Sequence, residues 1–404
     1  MLRAMKVRAK RFVYAHKHLY RLFSPYLGRH VNRALRRARR EGGVDGNLAV
    51  FCAYRMEAYG DGPRYISEAL HALRPQTDIV WLFKDVAAAR KKYPIAPYVR
   101  CLEWPKPEAL SAFGRARVLV DNWRKPDFLR LGRGQDYLFA PHHDRSLKHG
   151  VLTMKDRRYR RVVEARCAAA TTGSRFCRRV LRGAYHFRGP YLTDGAPRND
   201  LLVRNDPADE ARLRAALGLE AGARALLYAP TFRDLDSQLS RAQAVPLDLE
   251  HLLDVLERQT GERWVCLYRA HYLSLGLTVA PSSRRLIDVT DYPEMAELLR
   301  IADALITDYS SYAGDFALRG KPIWLYQADR DDYERHSRRL YVDMAQTPFW
   351  VATSPEALDC LIRQTTPEAA RRNCRAILDF YGTCETGRAA LGAARWICER
   401  LNGR

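Results

Sequence analysis

Three short constellations in this 404-residue chain carry the residue types that phosphate chemistry uses. The first is Thr307-Asp308-Tyr309-Ser310-Ser311, between an apolar run and a helical pattern. Two hydroxyls beside the N–H groups of a helix start form a cradle for phosphate, although Asp and Ser serve equally as ordinary helix caps. The second is Arg269-Ala270-His271, closing the apolar run that begins at Trp264. Arginine grips a phosphate with two parallel donors, and histidine donates to a leaving phosphate or shuttles a proton. A single histidine there reads equally as structural. The third is His142-His143-Asp144, followed by Lys148. Adjacent strand residues face opposite ways, so the pair reads as a loop offering one general base. No further metal ligand stands at recognisable spacing, so no metal is expected, and no cofactor motif is visible. Gly60-Asp61-Gly62 is a fainter phosphate signal. The motifs of P-loop NTPases, zincins and α/β-hydrolases are missing.

These residues need a scaffold, and the hydropathy pattern supplies one. Strand-like runs at Leu48–Tyr54, Ile79–Phe83, Arg117–Asp121 and Tyr137–Ala140 alternate with helical stretches at about 60–73, Pro107–Phe113 and Tyr159–Arg166. The alternation restarts after Pro197. Strands are expected at Ala225–Pro230, Trp264–Arg269, Ala304–Thr307 and Ile323–Tyr326. Helices are expected at Pro207–Leu217, Leu247–Gln259, Met295–Arg300 and Tyr312–Leu318, then at about 355–364, 367–381 and 387–402. Such alternation implies parallel sheets covered by helices, here two doubly wound α/β domains facing a cleft. Gly195–Asp200 reads as the turn between them. The expected division is an arm over 1–44, domains over 45–200 and 201–385, and a terminal helix over 386–404.

The formal charge is +22, with 68 Lys and Arg against 46 Asp and Glu. It is unevenly placed: residues 1–40 hold 13 of the basic residues and no acid. Phe12, Ala15, Leu19 and Leu22 recur at helical spacing, Pro25 interrupts, and Leu27, Val31, Leu35 and Ala38 resume among arginines. Two basic amphipathic helices of this kind suit an anionic membrane surface, with nucleic acid or plain solvent as the other readings. No run of 18 apolar residues occurs, so no membrane-spanning helix is expected, nor is there the apolar core of a secretory signal. Nine scattered cysteines without a CxxC pair suggest reduced thiols in the cytoplasm.

Taken in order, the polar motifs resemble the CDP-glycerol glycerophosphotransferase family, which builds teichoic acids and related capsule polymers. The matching residues are Asp121-Asn122 with Pro126, Gly134–Tyr137, Gly195–Asp200, Tyr228–Asp234, Arg269-Ala270-His271 and Asp291-Tyr292. Ile306–Ser311 with Asp315, Lys321-Pro322, Tyr326, Asp329, Tyr333, Tyr341 and Asp343 complete the series. The likeness runs over about residues 47–345.

The resemblance implies a GT-B-like fold of two Rossmann-like domains, working peripherally at the cytoplasmic face of the membrane without a cofactor. It implies that CDP-glycerol binds the C-terminal domain, its phosphates held by Arg269, His271, Ser310 and Ser311. Arg233, Asp308, Arg338, Arg339 and Asp343 are further substrate-binding candidates. An acceptor hydroxyl would attack the β-phosphate and expel CMP, with a histidine as base. The family's base lies in a Trp-His-Gly-Thr segment whose Trp, Gly and Thr are missing here. Anchoring on Leu147-Lys148 matches that histidine to His143, which is favoured; anchoring on Tyr137-Leu138 matches it to His142. The expected partners are CDP-glycerol, a polymer or lipid-linked acceptor and an anionic membrane surface. A transferase using CDP-ribitol or a nucleotide sugar, or a basic nucleic-acid-binding protein, is the alternative.

Overall fold

The structure, a computed structural model, describes residues 17–123, 129–147, 167–184, 187–204, 206–231, 247–269, 283–337 and 339–403. It opens with helix α1 (Lys17–Gly42), which runs unbroken through Pro25 and so corrects the expectation of two separate stretches. Its second half does not leave a free apolar face. Leu35 is fully buried, and Val31 and Ala34 pack beside it on the first core. A Cβ on Gly114 would lie 3.0 Å from the Leu35 carbonyl and 3.1 Å from the Ala38 Cβ, so glycine there lets α1 approach the helix Pro107–Arg115 closely. The Arg39 guanidinium donates to Gln135 Oε1 at 3.0 Å. The outward face carries exposed Arg29, Arg33, Arg36, Arg37 and Arg40. Leu35→Ala is expected to cost about 2–5 kcal/mol of stability, read from the urea midpoint.

Two all-parallel sheets follow. The first has seven strands in the order β3-β2-β1-β4-β5-β6-β7: β1 (Asp45–Cys52), β2 (Asp78–Phe83), β3 (Arg100–Glu103), β4 (Ala116–Asp121), β5 (Asp136–Phe139), β6 (Ala169–Thr171) and β7 (Tyr191–Leu192). The second has six, in the order β10-β9-β8-β11-β12-β13: β8 (Arg224–Tyr228), β9 (Trp264–Tyr268), β10 (Leu286–Asp288), β11 (Ala304–Thr307), β12 (Ile323–Tyr326) and β13 (Trp350–Ala352). Central strands such as β1, β4 and β11 are buried on both faces, hence their near-continuous apolar runs. This is the GT-B-like arrangement the sequence led us to expect.

The strand order reverses between β1 and β4 in one sheet and between β8 and β11 in the other. Crevices open at the carboxyl ends of strands at such switch points. Helix α2 (Asp61–Leu73) leaves the first, and α3 (Tyr312–Phe316) leaves the second. The last helix, α4 (Ala389–Leu401), returns to the first sheet, where Ala393, Ala394 and Ile397 join the core beside Ile66 and Val118. Asp200 caps it, accepting from the Ala389 and Ala390 N–H groups at 2.8 Å. No helix among the described residues is long and apolar enough to cross a membrane.

Candidate active site

At the first switch point, the chain leaving β1 turns through three consecutive left-handed residues, Tyr54 (φ 47°), Arg55 (φ 61°) and Met56 (φ 67°); Asp61 follows at φ 58°. Each such residue with a Cβ costs roughly 1–2 kcal/mol. The turn is held by the Met56 N–H on the Ala53 carbonyl at 2.9 Å and the Lys84 N–H on the Met56 carbonyl at 2.8 Å. Beyond β4, the buried Asn122 side chain accepts from the Tyr54 N–H at 2.8 Å and donates to Asp61 Oδ2 at 2.8 Å. The Tyr54 hydroxyl donates to the same oxygen at 2.7 Å. Burial and the Asp61 carboxylate push this phenol well above its ordinary pKa, so it stays a neutral donor.

His142 follows β5 and meets this assembly. Its Nδ1 lies 3.0 Å from the Asn122 carbonyl oxygen. A carbonyl only accepts, so Nδ1 carries the proton and, in the neutral ring, Nε2 holds the basic lone pair. The imidazole stacks on Trp123 at 4.6 Å and 13°, and meets Tyr54 edge-on at 5.6 Å. His143 stands edge-on to it at 4.8 Å, half-buried. Trp123 also carries the Arg55 guanidinium, 4.9 Å from the ring centre.

The turn bearing both histidines is tied to the second lobe by buried charge. Arg145 donates to Asp315 Oδ1 at 2.9 Å, to Glu385 Oε1 at 2.8 Å and to the Gly173 carbonyl at 3.0 Å. Asp315 lies on α3. Its other oxygen accepts two bonds from Arg198, at 2.9 and 3.1 Å, and Asn199 reaches Oδ1 at 3.0 Å. Arg198 also donates to the Pro141 carbonyl at 3.2 Å, directly before His142. A Cβ at Gly314 would fall 2.8 Å from Arg145 Cβ, so glycine is what admits Arg145 against α3. Leu147 then enters the second core. Glu294, which caps the helix Met295–Ile301, also accepts from the Asp61 N–H at 2.9 Å. A carboxylate therefore occupies the start of α2, which overturns the phosphate reading of Gly60-Asp61-Gly62.

At the second switch point, Asp308 is buried and braces two loops. Its carboxylate accepts from the Thr231 N–H at 2.9 Å and the Tyr309 N–H at 2.6 Å. Both donors are backbone groups, on the loops that follow β8 and β11. Ser310 Oγ accepts from the Tyr312 N–H at 3.3 Å, and both Ser310 and Ser311 are partly exposed. Arg269 follows β9, its N–H on the Tyr228 carbonyl at 2.9 Å. Its Nη1 is buried without a hydrogen-bond acceptor among the described residues. The Arg198 guanidinium reaches Asp61 of α2 at 3.4 Å and Asp315 of α3 at 2.9 Å, which joins the two switch points through one buried cation.

A family model described as CDP-glycerol:poly(glycerophosphate) glycerophosphotransferase matches residues 34–398. The chain belongs to this family. It is 29% identical over 335 residues to the teichoic acid poly(glycerol phosphate) polymerase of Staphylococcus epidermidis, covering 79% of this chain and 46% of that protein. It is 26% identical over 351 residues to the teichoic acid glycerol-phosphate transferase of Staphylococcus aureus, covering 83% of this chain and 88% of the relative. The chain thus spans about half the length of that Staphylococcus epidermidis polymerase and, at 45%, of the teichoic acid poly(glycerol phosphate) polymerase of Bacillus subtilis. A solved structure of the wall teichoic acid polymerase TagF superimposes with a TM-score of 0.80 at 25% identity, over 97% of this chain and 98% of that one.

Within this family member, the sequence candidates fall into three groups. His142, His143, Arg269, Ser310 and Ser311 sit at the two switch points. Arg339 is exposed, and the exposed Asp343 caps a short turn by accepting from the Ala345 N–H at 3.0 Å. Arg233, His271 and Arg338, with the stretch Tyr159–Arg166, lie outside the described residues. Sequence reading passed over Arg55, Trp123, Arg145 and Glu294, whereas Arg198 lies in the Gly195–Asp200 motif it had marked. The available signal was charged or aromatic residues just past apolar strands.

Proposed function

We propose that this chain transfers glycerol phosphate from CDP-glycerol to a hydroxyl of a polymer or lipid-linked acceptor, releasing CMP. The observation that carries the reading is His142 at one switch point, fixed as the Nδ1–H tautomer and braced through Arg145 to the helix behind Ser310 and Ser311. In the reaction, His142 Nε2 takes the acceptor proton as that oxygen bonds to the β-phosphorus. The bond from the β-phosphorus to the bridging oxygen breaks, and CMP leaves with the electron pair. Arg269 offers its buried donor to the diphosphate, and the serine hydroxyls add neutral donors. His271, two residues along the chain, would serve the leaving phosphate.

The test is CMP release from CDP-glycerol across a panel of acceptors, with CDP-ribitol and UDP-sugars as competing donors. No CMP from any pair, together with no CDP-glycerol binding by calorimetry, sinks the reading; preference for another donor moves it within the fold. Arg269→Ala is expected to weaken CDP-glycerol binding by roughly 10- to 100-fold, as for loss of a charge-assisted bond.

The same reading sets the protein at the cytoplasmic face of an anionic membrane. Because the apolar residues of α1 near Leu35 are already buried, this half of the helix would contribute charge and not insertion. Each arginine near an anionic leaflet is worth on the order of 1 kcal/mol. Binding to anionic vesicles should therefore fall steeply with salt.

A further inference from the structure

We infer that the helix Arg175–Ala184 is a track for the phosphates of a growing glycerol phosphate acceptor, leading away from His142 along the flank of the first lobe. This rests on the transferase reading and adds to it a surface that holds the acceptor beyond its reacting end. The helix follows β6, which lies parallel beside β5, so its first turn stands on the same strand-end rim as the turn bearing His142. The two are joined directly. Asp144 Oδ1 accepts from the Gly173 N–H at 3.0 Å and the Thr172 hydroxyl at 3.1 Å, and the Asp144 carbonyl accepts from the Ser174 hydroxyl at 3.3 Å. From there the helix runs back along the sheet, as the crossover between two parallel strands must.

The two faces of this helix differ completely. Phe176 enters the second core, Cys177 and Leu181 enter the first, and Val180 packs against both. Arg175, Arg179 and Arg182 are exposed, Arg178 is half-buried beside them, and the helix carries no acid. Among the described residues none of these four arginines has an ion pair. Arg175 packs against Gly382, where a Cβ would lie 3.0 Å from the Arg175 Cβ, so glycine there admits it. The Arg179 guanidinium lies over the Phe176 ring, 5.6 Å from its centre. At 1.5 Å per residue, Arg175, Arg179 and Arg182 stand about 6 Å and about 4.5 Å apart along the axis. A glycerol phosphate repeat has as many backbone bonds as two amino-acid residues and extends to about 7 Å. Long arginine side chains absorb the difference, so a bound acceptor sets a phosphate by each arginine in turn. The exposed residues include no apolar side chain, which a helix seated in a bilayer interface requires, so a hydrated polyanion fits this face better than lipid.

The experiment titrates the full chain by calorimetry with synthetic glycerol phosphate oligomers, one a single repeat and one long enough to span the helix. The wild type should bind the long oligomer about tenfold or more tighter than the single repeat. Arg179→Gln combined with Arg182→Gln should weaken the long oligomer roughly three- to tenfold, the worth of two exposed charge pairs, and leave the single repeat unchanged. The control, Arg33→Gln with Arg36→Gln, removes the same charge from α1 and should leave both affinities as they were. Equal binding of the two lengths by the wild type overturns the proposal, as does an unaltered long-oligomer affinity in the helix variant. An equal loss in the control also overturns it, because net charge would then be the cause. So does a helix variant that loses only its binding to phosphatidylglycerol vesicles, which makes the face a lipid contact. Because oligomer binding is read without turnover, failure of CMP release sinks the transferase reading separately.

Discussion

Alanine at His142 is expected to lower kcat by about 10²–10⁴-fold, the usual worth of a positioned general base, with little change in CDP-glycerol affinity. Alanine at His143 should cost far less. The two residues are adjacent, but their surroundings differ. His142 has its tautomer fixed by the Asn122 carbonyl and its ring plane fixed by Trp123 and Tyr54. His143 lies edge-on to it, on the chain's way to Asp144 and Arg145. The check is kcat for both variants with saturating CDP-glycerol, with a pH–rate profile. A larger loss at His143 would reverse the assignment and return it to the histidine that the Leu147-Lys148 alignment favours.

Asparagine at Asp315 is the second large effect, and it acts from outside the reacting centre. This carboxylate is fully buried and receives Arg145, Arg198 and Asn199. Removing its charge leaves two buried guanidinium groups short of a counter-ion, which costs about 3–5 kcal/mol. Burial alone would raise the Asp315 pKa, yet Arg198 and Arg145 hold it below the usual carboxylate range. With a folded pKa depressed below the unfolded one, its stabilisation is complete above about pH 4 and is lost as pH falls through the folded value. Urea denaturation against pH should show an acid limb in the wild type that Asp315→Asn flattens. Turnover should fall as well, because Arg145 positions the turn that carries His142. An unchanged urea midpoint would refute the role.

Much of the scaffold was legible because parallel strands buried on both faces must be almost wholly apolar. Leu48–Cys52, Ile79–Phe83 and Ala304–Thr307 could hardly be anything else. The short edge strands β3, β7, β10 and β13 were not legible. Three or four residues, or two in β7, carry no period, and their pairing comes from neighbours distant in sequence. Pro25 read as a break, but α1 continues through it. The docking of α1 was equally hidden: an amphipathic stripe looks the same whether it faces lipid or the helix at Gly114.

The sequence by itself determined the class of chemistry, since its ordered phosphate-handling motifs point to one family over most of the chain. It also determined that basic charge is concentrated at the N-terminus. Tertiary structure alone decided which groups meet. Asn122 and Trp123 follow one strand, Tyr54 and Arg55 another and His142 a third, and only the parallel order β1-β4-β5 brings these ends together. Asp315 and Arg145 are 170 positions apart and become partners because two separately wound sheets share one buried joint. Spacing along a chain records local geometry, whereas tautomers and buried counter-ions are set by groups that arrive from elsewhere in the fold.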